Sequence, residues 1–311
     1  MARAGPEVMS PDAQRERPAA RRPTGTLQPS SERALRALRA LDTGRYRDAA
    51  AHIDAGTDVS PLEAAWRLFL RGALAVEQGH LAAAVPLLEA AADDAHAAAA
   101  DCTSNSDSGA MRLVALALEK AGWVYRHQER PNEAYKAHMR AYDVRSRHGS
   151  FEEQWESARS LGLAADLRGD SVDAQHWYRS AAAIGASAAD APELRQAVAW
   201  TNLSASLTTG GLHGQAIEAA RTAQQWWHRH DIGGFAAARA ELNLGYALLR
   251  QGESAHGSNP HGAREALDEA IERLTSSREA LLAFGPEGIA DARWSAEQLD
   301  FARRLRDTLE V

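Results

Sequence analysis

Small and apolar residues recur along residues 118–141 with the spacing of two consecutive helices. In this stretch, LEKAGWVYRHQERPNEAYKAHMRA, they lie 3, 4, 7, 16, 20 and 23 positions after Leu118, at Ala121, Gly122, Tyr125, Ala134, His138 and Ala141. The first four positions share one face of a helix with about 3.6 residues per turn, and so do the last three. The segment between them, 129–132, contains Pro131, which suits the first position of a second helix. The pattern therefore predicts a helix hairpin whose helices meet through small residues.

The same pattern recurs along most of the chain. The small residue at the centre of each first helix is found at Ala37, Gly72, Gly122, Gly162, Ser204 and Gly245, with intervals of 35, 50, 40, 42 and 41 positions. Alanine-containing partner helices are predicted around 84–91, 174–181 and 216–223. Repetition at this period indicates stacked helix hairpins, in which each repeat packs on its neighbours.

This pattern resembles the tetratricopeptide repeat (TPR), in which a large residue is followed at fixed spacings by Leu-Gly, Tyr, Ala, a large residue and Ala. Within 118–141, His138 stands where the family prefers an aromatic side chain. The spacing of 40–42 residues in the later repeats exceeds the minimal repeat of about 34 and is similar to the long-repeat variant in kinesin light chains and certain bacterial regulatory proteins. The resemblance implies an all-α fold, an α-solenoid of about six antiparallel helix pairs with a C-terminal capping helix, wound into a right-handed TPR-like superhelix.

The predicted organisation changes at residue 30. Residues 1–30 hold five of the eleven prolines and few large apolar residues, so we expect a disordered arm rich in Arg and Pro. We expect residues 31–311 to form a TPR-like helical repeat domain. Its predicted units are 31–56, 61–100, 110–148, 151–187, 190–231 and 234–283, followed by a cap at 286–311. Two turn-rich stretches, 101–109 and 253–261, are predicted to be insertions between helices.

Composition excludes several other classes of protein. The net charge of −7 and the pI near 6.0 give no electrostatic reason to expect a nucleic-acid partner. Cys102 is the only cysteine, which excludes an internal disulfide and any zinc site that needs several thiolates. No apolar run approaches about 18 residues, and the N-terminus lacks an apolar signal core. We therefore expect a soluble cytoplasmic protein without membrane insertion.

The family resemblance also implies where a partner would bind. In TPR proteins, partners bind the concave face, which is lined by residues two, three and six positions before the small residue and one, four and five positions after it. The aromatic, amide and arginine side chains at these positions that we expect to bind a partner are Trp123, Arg126, Arg159, Asn202, Arg239, Asn243 and Tyr246. Glu119, Glu156 and Asp166 are interspersed among them, so the predicted face carries charges of both signs.

Two of these residues, Asn202 and Asn243, occupy the same position of consecutive repeats, 41 residues apart. An amide offers two donors and an acceptor, which suits it to bind the backbone of an extended peptide whatever its side chains. The resemblance implies the same role, because asparagine at this position often contacts the ligand backbone in the family. The alternative is a solvated asparagine near a helix end.

No motif in the sequence predicts catalysis, a cofactor or a metal site. His228, His230 and Asp231 lie near a predicted helix end, but histidines two positions apart point about 200° apart on a helix and cannot share a metal ion while helical. A Gly-rich phosphate loop, H-E-x-x-H and G-x-S-x-G are all absent from the sequence. Cys102 has no obvious base beside it in the sequence. We therefore expect a protein that is not an enzyme.

The function favoured by the sequence is a non-catalytic scaffold that captures a protein or peptide segment in its concave groove. Two alternatives remain open at this point. Solenoid ends or the Trp226-Trp227 region could mediate assembly into homo-oligomers. The repeats could instead form a sensory or regulatory module that binds a small signal or a peptide.

Overall fold

A computed structural model describes residues 31–55, 60–100, 107–187, 193–229 and 234–309. Several expectations from the sequence fall outside these residues: the disordered arm at 1–30, the setting of Cys102 with most of the insertion at 101–109, and the positions of His230 and Asp231.

The described residues contain thirteen α-helices, one short 3-10 turn and no strand. The helices are α1 (Glu32–Asp42), α2 (Tyr46–Asp54), α3 (Pro61–Glu77), α4 (Leu81–Ala100), α5 (Asp107–His127), α6 (Pro131–His148), α7 (Phe151–Leu167), α8 (Ser171–Ser187), α9 (Glu193–Thr209), α10 (His213–Arg229), α11 (Phe235–Ala255), α12 (Pro260–Leu282) and α13 (Ile289–Asp307). The all-α class predicted from the sequence is confirmed. Every helix in the described residues is too short or too polar to cross a lipid bilayer.

The helices form two compact units, which we call unit 1 (Met1–Gly169) and unit 2 (Asp170–Val311). Within unit 1, helices that follow one another in the chain, from α1 to α7, pack side by side. Within unit 2, the helices from α8 to α13 do the same. The division falls between α7 and α8, inside the predicted repeat 151–187. The grouping of 31–311 into a single repeat domain stays a prediction.

Capping side chains define where several helices begin. Ser60 precedes Pro61, and its hydroxyl accepts a hydrogen bond of 3.2 Å from the backbone N–H of Glu63. At the start of α7, the hydroxyl of Ser150 accepts from the N–H of Glu153 at 3.2 Å, and the Glu153 carboxylate accepts from the N–H of Ser150 at 2.8 Å. This reciprocal pair satisfies two backbone donors that the helix itself leaves without partners.

The small residues of the first helices lie where two helices approach most closely. A Cβ added to Gly122 on α5 would lie 2.6 Å from Cε1 of His138 on α6. A Cβ on Gly245 of α11 would lie 2.8 Å from Cγ of Leu274 on α12. Both distances are shorter than van der Waals contact, so these helix pairs require glycine at the crossing. The predicted contact through small residues is confirmed at both positions.

The insertion predicted at 253–261 is wrong. Helix α11 continues through Gly252 to Ala255, and α12 begins after a short turn at 256–259. Gly252 does not end the helix, because it packs directly against Leu267 on α12, where an added Cβ would lie 2.7 Å from the Leu267 Cγ. Most of the segment that the sequence suggested was a loop therefore belongs to the end of α11 and the start of α12.

Candidate functional site

The exposure of a residue on a first helix depends on its angle from the small residue that contacts the partner helix. At about 100° per residue, positions three before or four after the small residue lie about 40–60° away, beside that contact. Thr201 and Leu242 occupy such positions and are only 9% and 4% exposed. Positions two before and one after lie about 100–160° away. Asn202, Asn243 and Tyr246 occupy these positions and are half-buried, so their side chains reach the surface.

Two arginines of the predicted binding face lie beside the helix contact and are largely buried. Arg126 lies four residues after Gly122, and Arg159 lies three residues before Gly162, so both belong to the set beside the helix contact. They are 8% and 6% exposed, and the Arg159 guanidinium lies 2.8 Å from the Glu156 carboxylate. Neither guanidinium is displayed at the surface, and we leave both out of the binding face proposed below.

Trp123 is the predicted binding residue of unit 1 that stays partly exposed. Its ring stacks on the His127 imidazole, with 3.7 Å between ring centroids and 29° between planes. The His127 Nδ1 lies 2.9 Å from the Trp123 carbonyl oxygen, which fixes this arrangement within α5. Trp123 therefore stays a proposed partner-binding residue of unit 1, held in one orientation by His127.

Unit 1 contains a largely buried ionic cluster centred on Glu119. The Oε2 of this residue accepts hydrogen bonds from Arg145 at 3.1 Å and from the Ser157 hydroxyl at 3.2 Å, and its Oε1 lies 3.1 Å from Nδ1 of His138. Burial by itself would raise the pKa of Glu119, but His138 and Arg145 outweigh burial and hold the pKa well below its usual range. Because the cluster joins α5, α6 and α7 and is enclosed, it stabilises unit 1 and offers no surface to a substrate.

Acid is expected to destabilise the protein through Glu119. Its pKa is lower in the folded state than in the unfolded chain, so the unfolded state binds more protons at low pH. The stability that Glu119 contributes is complete above the unfolded pKa of about 4.3 and is lost as the pH falls below that value. Urea unfolding followed by circular dichroism between about pH 7 and about pH 3 measures this loss.

The control for this acid sensitivity is a pair of matched substitutions. Glu119→Gln should flatten the dependence of stability on pH, because the titrating group is gone. Asp94→Asn, at an exposed position on α4, should leave the dependence as in the wild type. A Glu119→Gln variant with the wild-type pH dependence would contradict the role assigned to this carboxylate.

In unit 2, two amide side chains lie at the junction of α9 and α11. The Nδ2 of Asn243 donates a hydrogen bond of 3.1 Å to the carbonyl oxygen of Thr201, the residue before Asn202. Asn202 is half-buried, and its amide makes no hydrogen bond with any residue in the part of the chain that the structure describes. One amide is therefore held in place by the protein, while the amide beside it keeps its donors and its acceptor for another molecule.

Two further predicted residues of α11 contact α13. The Nε of Arg239 lies 2.9 Å from Oδ2 of Asp291, and the two side chains are only 18% and 21% exposed. The Tyr246 ring meets the Trp294 ring edge-on at 4.9 Å between centroids, and burial raises the pKa of Tyr246. Together with the two asparagines, these side chains form what we call the unit 2 face: Asn202, Arg239, Asn243, Tyr246, Asp291 and Trp294.

Asp291 and Trp294 were not among the predicted site residues, because the last helix was expected to serve only as a cap. Ser295 on α13 is fully buried, and its hydroxyl donates a hydrogen bond of 2.9 Å to the carbonyl oxygen of Leu274 on α12. It thus takes the place of the small residue in the preceding first helices. Ser295 lies 50 residues after Gly245, an interval that occurs once earlier in the chain, so the signal was present in the sequence.

The tryptophan pair of α10 packs within unit 2. Trp227 is 4% exposed, and its Nε1 donates to the Thr201 hydroxyl at 3.4 Å. Trp226 packs against the same small cluster, which includes Ala197 of α9 and Ala240 of α11. Trp227 is therefore not available to contact a second copy of the chain.

A metal centre is not formed by the described histidine, aspartate and glutamate side chains, because no three of them are arranged to hold an ion. His228 is exposed near the end of α10. The unit 2 face itself offers a ligand amides, aromatic rings and a charge pair.

Several solved structures are similar in fold to this chain. The structure is similar to the apo form of RapI, with a TM-score of 0.59 and 11% identity over 89% of this chain and 85% of that one. It is also similar to aspartyl phosphate phosphatase F from Bacillus subtilis, with a TM-score of 0.56 and 11% identity over 89% of this chain and 68% of that one. Neither a protein-family model nor a curated protein matches the sequence.

A third similar structure is a signal transduction ATPase with numerous domains from Pyrococcus horikoshii, which carries a tetratricopeptide repeat sensor. The TM-score is 0.56 and the identity 13%, over 89% of this chain and 44% of that one. The chain has a TPR-like repeat fold, which confirms the TPR-like, all-α class that the sequence resemblance implied.

Proposed function

We propose that this protein is a non-catalytic scaffold that binds an extended segment of a protein or peptide on the unit 2 face. The observation that carries the proposal is the half-buried amide of Asn202, which makes no hydrogen bond within the described chain, next to the amide of Asn243, which Thr201 holds in place. The Asn202 side chain reaches the surface, so its amide is accessible to a ligand and is not used by the fold. A ligand backbone would give the Asn202 amide its partners.

The binding mode follows from the chemistry of the amide. The Oδ1 of Asn202 accepts from a backbone N–H of the ligand, and its Nδ2 donates to a backbone carbonyl, so the contact does not depend on the ligand's side chains. The Oδ1 of Asn243 also makes no hydrogen bond with the described residues, and its position is fixed by the bond from Nδ2 to Thr201. Preorganisation of this kind reduces the entropy lost on binding.

The surrounding side chains favour a particular kind of ligand. Arg239 is paired with Asp291, so the unit 2 face does not present an uncompensated charge at this point. Tyr246 and Trp294 add aromatic surface beside the amides. We therefore infer a ligand held by its backbone and by apolar or aromatic side chains rather than by a strongly acidic or basic tail.

A role in binding also agrees with one of the similar structures. The tetratricopeptide repeat region of the Pyrococcus horikoshii protein is described as a sensor, and a sensor requires a surface that binds a signal or partner. The same fold with two half-buried amides that reach the surface would serve that purpose here.

Selection of peptides followed by calorimetry tests the proposal. The immobilised protein would be screened against a displayed library of random peptides, and the enriched peptides would be titrated into the wild type and into Asn202→Ala. Loss of two hydrogen bonds of about 0.5–1.5 kcal/mol each should weaken binding about tenfold. Asn132→Ala, at an exposed position at the start of α6, should bind as the wild type does.

Two results would overturn this function. One is a library screen that enriches no peptide. The other is an enriched peptide whose affinity is the same for the wild type, for Asn202→Ala and for the double variant Asn202→Ala/Asn243→Ala.

A further inference from the structure

Exposed apolar side chains are concentrated at one corner of unit 2. Of the seven large apolar side chains that are exposed in the described part of the chain, three fall within one short segment, where α12 ends and α13 begins. They are Leu282, Phe284 and Ile289, with exposures of 48%, 37% and 50%. We call these three residues the corner patch.

The local backbone holds the corner patch together. A Cβ at Gly288 would overlap the carbonyl oxygen of Leu281, so the start of α13 lies directly against the end of α12. Ile289 follows Gly288 directly and Leu282 follows Leu281, so both residues adjoin this close approach of the two helices. The Phe284 ring packs edge-on against Phe235 of α11, at 5.7 Å between centroids, which supports it from below. The three exposed side chains therefore lie at one helix junction, within the segment that joins the end of α12 to the start of α13.

Charges of both signs flank this surface. Arg278 and Glu279 lie four and three residues before Leu282, so they occupy the same face of α12 one turn earlier. Arg293 lies four residues after Ile289, on the same face of α13. All three side chains are exposed, and none of them forms an ion pair or hydrogen bond with another described residue.

We propose that the corner patch is the contact through which two copies of this chain associate. A twofold contact places the same surface on both copies, so the surface must be complementary to itself. The corner patch meets this requirement, because its apolar centre can be buried against its own copy while Glu279 of one copy lies against Arg293 of the other. If the patch selected a different partner by charge alone, the charged residues around it would instead be of one sign.

The size of the patch sets the strength of the contact. Stable interfaces bury about 800 Å² on each partner, and three exposed side chains supply only part of that area. The dimer is therefore weak, with a dissociation constant in the micromolar range or above. The residues of the unit 2 face are not part of the patch, so self-association and peptide binding are tested separately.

Analytical ultracentrifugation over a concentration series from about 1 μM to several hundred μM tests the proposal. The weight-average mass of the wild type should rise from 33.5 kDa towards twice that value. Phe284→Glu and Ile289→Glu should remain at 33.5 kDa, with unchanged helix content by circular dichroism. Val172→Glu is the matched control, because Val172 is 77% exposed on α8 and lies outside the patch.

A charge exchange distinguishes contact between two copies from contact with any other molecule. Glu279→Arg and Arg293→Glu should each weaken the dimer about three- to tenfold, because each places like charges together. The double variant should recover the wild-type dissociation constant, because every copy then carries the exchanged pair. A wild-type mass that stays at 33.5 kDa at every concentration would overturn the proposal. Failure of the double variant to recover would also overturn it.

Discussion

Replacing Arg145 by methionine is expected to lower the free energy of unfolding by about 3–5 kcal/mol. Arg145 is 7% exposed and donates hydrogen bonds to the Glu119 carboxylate at 3.1 Å and to the Ser157 hydroxyl at 2.8 Å. Methionine has a similar length but no charge, so Glu119 would stay largely buried and lose the guanidinium that pairs with it. The cost comes from the uncompensated carboxylate rather than from lost volume.

Urea unfolding of three variants measures this effect and its origin. Arg140→Met, on the same helix α6, removes an exposed arginine that lies 3.4 Å from Asp93, and should cost less than about 1 kcal/mol. The double variant Glu119→Met/Arg145→Met removes both buried charges and should be more stable than Arg145→Met alone. If Arg145→Met and Arg140→Met unfold at the same urea concentration, the buried cluster does not stabilise the fold.

Gly122→Leu should cost about 1–3 kcal/mol of stability by overpacking the contact between α5 and α6. A side chain at residue 122 would begin within 2.7 Å of three atoms of the His138 ring. The His138 ring is completely buried and lies 3.1 Å from the Glu119 carboxylate, so it cannot move aside without disturbing the ionic cluster. Thermal unfolding by circular dichroism measures the loss.

A second glycine provides the control for this substitution. Gly214 lies in the first turn of α10, and a Cβ there would meet no atom within 4 Å. Gly214→Leu should therefore be neutral or slightly stabilising, since leucine is the better helix former. A Gly122→Leu protein that melts at the temperature of Gly214→Leu would show that the small residue is not needed for helix contact.

The helices could be predicted because their signals are local. Helix period, capping serines and prolines at first positions are contained in short windows of sequence, and Gly122 and Gly245 are found at the helix crossings that their spacing predicted. Gly252 shows the limit of this reasoning. A glycine inside a helix resembles a stop signal until its neighbour on another helix, Leu267, is known.

The candidate site was harder to predict than the helices. Whether a side chain reaches the surface depends on its angle around the helix and on contacts with residues far away in the sequence. Arg126 and Arg159 belong to the family's concave positions, yet they lie only about 40–60° around the helix from the packing contact, whereas the residues that reach the surface lie about 100–160° from it. The Glu119 carboxylate accepts a hydrogen bond from Ser157, 38 residues later in the chain, and no local sequence pattern predicts that contact. Trp294 belongs to the unit 2 face because α13 contacts α11, and the sequence does not show that contact.

In unit 2, packing and ligand contact use different sides of the same helix. The same α11 helix uses Gly245 and Leu242 for packing and turns Asn243 and Tyr246 to the surface, because the two pairs lie at different angles. Packing thus fixes the helix positions, while the surface residues are left to contact a ligand. Substitutions at the first set should change stability, and substitutions at the second set should change binding.

The central claim is that the Asn202 amide contacts the ligand, and nuclear magnetic resonance of the side-chain amides tests it most directly. The side-chain NH₂ signals of Asn202 and Asn243 would be assigned by their loss in the alanine variants and followed as a selected peptide is added. This contact should shift the Asn202 signal in proportion to bound peptide, while the signal of Asn132, an exposed residue of unit 1, stays in place. An unmoved Asn202 signal in a protein saturated with peptide would contradict it.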